Sequence, residues 1–144
     1  MSKGVAFWDA SALVPLCVHQ IASIQAQSYL RKFLPVVWWG SAVEVHSAVM
    51  RSHRSGKLKD TEMKGALNRL GVLSRGWREI IPTDPLHDVA VRLLDTYDLR
   101  AADSLQLAAA LLWCQQRPAR RNFVCADQRL SKAADIAGFS VLEL

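Results

Sequence analysis

The chain has 144 residues, 51% of them apolar and 22% charged, with a formal net charge of +5. That length suits one domain over residues 1–144 with a continuous core, and this composition excludes a disordered polymer. No stretch approaches the roughly 20 apolar residues that span a bilayer, and the N-terminus runs straight into a candidate core strand rather than a cleavable leader. The expected location is therefore the cytoplasm, with no membrane partner. Cys17, Cys114 and Cys125 are odd in number and lack CxxC spacing, which argues against both a disulfide framework and a zinc site.

In chain order, Val5 to Trp8 is a short, wholly apolar run ending at Asp9, the pattern of a strand buried on both faces. Ser11 to Leu16 follows, with Pro15 placed for a first helical turn, then a helical pattern from Ile21 to Phe33 through Ile24, Ala26 and Leu30, which Pro35 interrupts. Val36 to Trp39 reads as a second strand closed by Gly40. Ser41 to Arg54 is helical, with Ala42, Val45, Ala48 and Val49 on one stripe and Gly56 as its stop. Asp60 is placed as the N-cap of a helix ending near Gly76. Glu79 to Ile81 is a brief strand, and Asp84-Pro85 begins a helix to about Tyr97 as N-cap and first helical residue.

Asp103 opens the next helix, Ser104 to Gln116, which is apolar nearly all round and hence central; Pro118 marks its end. Phe123 to Ala126 is a strand, Gln128 to Ala137 a helix stopped by Gly138, and Ser140 to Leu142 a last strand. Short apolar strands alternating with helices predict an α/β fold with a mostly parallel sheet of about five short strands, covered on both faces.

In such a sheet, ligands bind in the crevice beyond the carboxyl ends of the strands. Asp9, Glu44, Asp103 and Asp127 all fall where strands hand over to helices. Each has an ordinary explanation: Glu44 has capping-box spacing from Ser41, Asp103 and Asp127 sit at helix starts, and Asp9 has the setting of an Asx-turn. Taken together they predict carboxylates that repel one another unless a cation holds them, hence a site for Mg²⁺ or Mn²⁺. A metal so held activates water and neutralises a leaving phosphate oxygen, which is hydrolytic phosphodiester chemistry.

Basic groups concentrate at Arg51, Arg54, Lys57 and Lys59, at Arg117, Arg120 and Arg121, and at Arg129 and Lys132. Around an acidic metal site, such a surface favours nucleic acid over a merely solvated face. His19, His46, His53 and His87 show no HExxH spacing, and the chain has no GxSxG, P-loop or GxGxxG pattern. Trp38, Trp39, Trp77 and Trp113 read as core or interface residues. An aspartate-nucleophile phosphatase, with Asp9 attacking phosphorus, expects an acid two residues later, where Ser11 stands.

The ordered segments Phe7-Trp8-Asp9-Ala10-Ser11-Ala12-Leu13, Ser41-Ala42-Val43-Glu44, Leu99-Arg100-Ala101-Ala102-Asp103-Ser104-Leu105-Gln106-Leu107-Ala108 and Phe123-Val124-Cys125-Ala126-Asp127-Gln128-Arg129-Leu130 resemble the motifs of PIN-domain ribonucleases, in particular VapC-like toxins. The resemblance extends to Ala134 to Phe139 and covers essentially the whole chain. It implies a three-layer α/β/α sandwich and a toxin that cleaves RNA with Mg²⁺ or Mn²⁺. It also implies a cognate antitoxin whose tail covers the active site, and a homodimer. By the same resemblance Asp9 and Asp103 hold the principal metal, Glu44 and Asp127 complete the cluster or orient water, and Ser11 hydrogen-bonds a ligand or phosphate oxygen. Gln106 stands where many members carry histidine, and Gln128 where glutamate or lysine is common.

Overall fold

A computed structural model describes residues Lys3–Leu144. It comprises β1 (Gly4–Trp8), α1 (Ala10–Cys17), α2 (Ser23–Lys32), β2 (Phe33–Trp38), α3 (Ser41–Arg54), α4 (Asp60–Gly76), β3 (Arg78–Ile80), α5 (Asp84–Thr96), α6 (Ala101–Trp113), β4 (Asn122–Cys125), α7 (Gln128–Ala137) and β5 (Ser140–Glu143). The strands form one five-stranded sheet in the order β3-β2-β1-β4-β5, and every pairing is parallel.

Alternation along the strands divides the core into two. Phe7, Val36, Trp38, Phe123 and Cys125 pack beneath α5, α6 and α7. Ala6, Trp8, Val37 and Val124 point the other way, against α1, α3 and α4. Strands buried on both faces read as continuous apolar runs, as β1 does. Phe123 stacks on Phe7 with ring centroids 5.3 Å apart and meets Phe139 at the same spacing, in the offset and tilted arrangements that aromatic quadrupoles favour. Among the described residues, no helix is long and apolar enough to cross a membrane.

Several local expectations shift. β2 begins at Phe33 and contains Pro35, which lies opposite Ala6 of β1. β3 starts pairing only at Val36, so at Pro35 the strand is still an edge on that side, where a residue without an N–H is tolerated. α2 is correspondingly shorter: Ala26 is buried, whereas Ile21 and Ile24 are exposed. Pro15 lies inside α1, because Asp9 caps that helix and starts it at Ala10. The N-caps expected at Asp60 and Asp84 fall one residue earlier, at Lys59 and Thr83; Thr83 Oγ1 accepts from the Leu86 N–H at 3.2 Å. α6 stops at Trp113, short of Gln116, since Gln115 and Gln116 take left-handed backbone angles. Gly138 closes α7 with φ 115°.

Candidate active site

β1 pairs with β2 on one side and β4 on the other, so the chain leaves β1 in one direction and returns to its other edge from the opposite one. This reversal in strand order opens a crevice at the carboxyl ends of β1 and β4. Asp9 follows β1 directly, and its N–H continues the ladder to Val124 O at 3.2 Å. Asp127 lies beyond the end of β4. The start of α3 brings Glu44 to the same place, and the start of α6 brings Asp103. All four acids line one cleft of about 480 Å³ together with Ser11 and Arg51. α3 contributes Val43, Glu44, Ser47, Ala48 and Arg51, the last four a stripe at i, i+3, i+4 and i+7 along one helix face.

The carboxylates are held in four different ways. Asp9, only 4% exposed, accepts from the Ser11 N–H at 3.1 Å and from the Ser11 hydroxyl at 2.8 Å, the Asx-turn expected of it. Asp127 caps α7, accepting from the Leu130 N–H at 2.9 Å. Asp103 accepts from the Arg100 N–H at 3.3 Å. Glu44 does not form a capping box with Ser41, because α3 starts from Gly40 with no side-chain cap. Its Oε1 instead accepts from Gln106 Nε2 at 3.2 Å, and the same amide donates to Ser41 Oγ at 2.9 Å.

Gln106 is fully buried, and its Oε1 has no partner within the protein. Unpaired buried oxygens are costly, so this residue ties α6 to α3 at some expense. Its importance is not apparent from an otherwise apolar helix; the one cue was a lone amide among Leu105, Leu107, Ala108 and Ala109.

Ser11 hydrogen-bonds Asp9, one of the acids expected to hold the metal. Its proton goes to Asp9 Oδ1, and its oxygen accepts from the Ala126 N–H at 2.9 Å. The hydroxyl therefore clasps the ends of β1 and β4 together. Cys125 beside it donates to Asp127 O at 3.3 Å.

Burial pushes the Asp9 carboxyl up to about 6, opposed by the Ser11 bonds and reinforced by the charge of Asp127. Burial likewise pushes Glu44 up to about 7, against the Gln106 bond, with Asp9 and Asp103 adding repulsion. Asp103 is raised by burial and by Asp127, while Arg100 and Arg129 pull it back. The four groups thus feel one another as like charges in a partly dry cleft.

Among the described residues, no three His, Cys, Asp or Glu side chains converge closely enough to grip one metal ion as they stand. The donor set is nonetheless the all-oxygen kind that Mg²⁺ and Mn²⁺ take, and its mutual repulsion is what a cation relieves. Sharing one ion would require side-chain rotation from the present hydrogen bonds. No lysine lines the cleft among the described residues, which removes a partner the phosphoaspartate alternative needs.

The histidines lie away from the cleft: His53 pairs with Asp60 at 2.6 Å, His87 lies 3.5 Å from Asp88, and His19 and His46 are exposed. Arg117, Arg120 and Arg121 sit where the chain enters β4, at the end of the parallel sheet opposite the acids.

No protein-family model and no curated protein matches the sequence. The structure is similar to a toxin–antitoxin complex from Klebsiella pneumoniae, with TM-score 0.65 and 17% identity, covering 95% of this chain and 95% of that one. It is also similar to PAE2754 from Pyrobaculum aerophilum, with TM-score 0.63 and 16% identity over 97% of this chain and 89% of that one. FitAcB from Neisseria gonorrhoeae gives TM-score 0.63 and 13% identity over 94% of this chain and 97% of that one. At these identities the likeness is one of architecture: the chain has the PIN-like α/β fold that its motifs implied, with the acidic cleft at the reversal of its sheet.

Proposed function

We propose that the protein is a metal-dependent endoribonuclease acting as the toxin of a toxin–antitoxin pair, neutralised by a cognate antitoxin and working as a homodimer. The observation that carries this reading is the convergence of Asp9, Glu44, Asp103 and Asp127, from four separate segments, on one cleft in a basic protein. The similarity to a toxin–antitoxin complex supports the biological role.

Asp9 and Asp103 are the residues to hold a principal Mg²⁺ or Mn²⁺, with Glu44 and Asp127 completing the cluster or orienting the attacking water. The metal supplies an activated water and charge neutralisation at the scissile phosphate. Ser11 keeps Asp9 in place, Gln106 does the same for Glu44, and Arg51 brings positive charge to the cleft wall.

The test is cleavage of RNA by the purified protein with Mg²⁺ or Mn²⁺, comparing wild type with Asp103→Asn. Removing an outer partner of a metal ligand costs ~10–100-fold, so loss of a direct ligand is expected to exceed ~100-fold, with the circular dichroism spectrum unchanged. Full activity in the folded variant refutes the assignment.

A further inference from the structure

The acidic cleft does not end at the acids. Asp103 and Asp127 are shared with a second recess, of about 330 Å³, whose other walls include Arg100 and Arg129. Arg129 is in turn shared with a third, of about 360 Å³, lined by Tyr97, Asp98, Lys132 and Ile136 among others. Shared lining residues place the three side by side, a track leading from the proposed catalytic cleft past the start of α6 to the end of α5 and the outer side of α7.

The charges along this track are available. Arg100, Arg129 and Lys132 are exposed, and among the described residues ion pairs form only at His53–Asp60 and His87–Asp88. Free guanidinium forks match phosphate oxygens. The third recess has a different character: Tyr97 is half-buried and packed on the core, Ile136 is 62% exposed, and Asp98 offers a carboxylate. Apolar surface from Tyr97, Ala133 and Ile136 beside the polar Thr96, Asp98, Arg129 and Lys132 suits a nucleobase, which stacks on its faces and hydrogen-bonds from its rim.

This inference rests on the endoribonuclease reading and specifies how the substrate lies. We propose that Arg100 and Arg129 hold an RNA phosphate adjacent to the scissile one, and that the recess beyond Arg129 receives the neighbouring base, so that the substrate is single-stranded on this side of the cut. A duplex could not turn a base into a recess without unpairing it.

The test measures binding of a short fluorescein-labelled single-stranded RNA of mixed sequence, in EDTA so that cleavage is off, across a range of salt concentrations. For single strands the slope of log affinity against log salt is about −0.7 per neutralised phosphate. Arg100→Ala and Arg129→Ala should each make the slope shallower by about 0.7. Arg117→Ala, with the same charge change at the far end of the sheet, should leave it unaltered. Ile136→Glu, at an exposed position, should weaken binding of the single strand more than that of a duplex of the same sequence.

Variants of Arg100 and Arg129 indistinguishable from Arg117→Ala overturn the subsite while the nuclease reading stands. Equal weakening of duplex and single strand by Ile136→Glu overturns the base recess. If Arg129→Ala loses binding to polyglutamate but keeps it for RNA, the arginines serve an acidic protein partner and the proposal fails. Absence of RNA binding by the wild type overturns the subsite, while the nuclease reading is decided separately by the cleavage assay with Mg²⁺ or Mn²⁺.

Discussion

Asp9 is nearly excluded from water yet must carry charge if it is to hold a cation, and its raised pKa reflects that conflict. In the metal-free protein, folding favours the protonated form of both Asp9 and Glu44. Their contribution to stability is therefore fully present below their unfolded values, near pH 4, and is lost as pH rises through about 6 for Asp9 and about 7 for Glu44. For Asp9 the loss is on the order of 3 kcal/mol at most. Thermal unfolding in EDTA should show a midpoint that falls between about pH 4 and about pH 7, and Asp9→Asn should flatten that fall. A midpoint independent of pH across that interval contradicts the burial of an ionisable Asp9. RNA cleavage should follow the opposite course, rising through the same interval as the ligands ionise.

Between elements, the junctions that aim the acids are small and tightly fitted. A Cβ at Gly40 would stand 2.5 Å from Trp38 Nε1, so Gly40→Ala has to displace either the buried Trp38 or the start of α3. It is expected to lower both stability and cleavage, because Glu44 moves with the helix. Gly138 has φ 115°, and a Cβ there would meet Pro118 Cγ at 3.0 Å; Gly138→Ala should cost about 1–2 kcal/mol in urea unfolding, with cleavage retained in whatever remains folded. Gly138 was readable in advance, since a glycine after an apolar helical run is the usual left-handed stop. The acids were readable too, because strand ends and helix starts are local patterns and the sheet rule brings them to one edge. The clasp from Ser11 to Ala126 and the amide bridge from Gln106 to Glu44 were not. Both join residues remote in sequence, and neither side chain is of a kind that announces its partner. Pro35 misled for a related reason: its tolerance depends on where β3 starts pairing, which is a property of the assembled sheet.

At the level of the whole molecule, a net charge of +5 coexists with a concentrated acidic cleft, so the surface elsewhere is more basic than the total suggests. A cation that binds the folded cleft and not the open chain stabilises by mass action, roughly 2.7 kcal/mol at a hundred times its dissociation constant. Mn²⁺ titrated above neutral pH should therefore raise the unfolding temperature of wild type and leave Asp103→Asn much less affected; equal shifts in both place the ion elsewhere. The sheet order also bears on how the molecule comes into being. The first strand takes its second neighbour only from the stretch beginning at Asn122, so a chain emerging from the ribosome carries three of its acids long before anything can bring the fourth beside them. On the nuclease reading proposed above, the cleft stays incomplete until the stretch from Asn122 onward has been synthesised, and fragments ending before Asn122 should leave RNA intact.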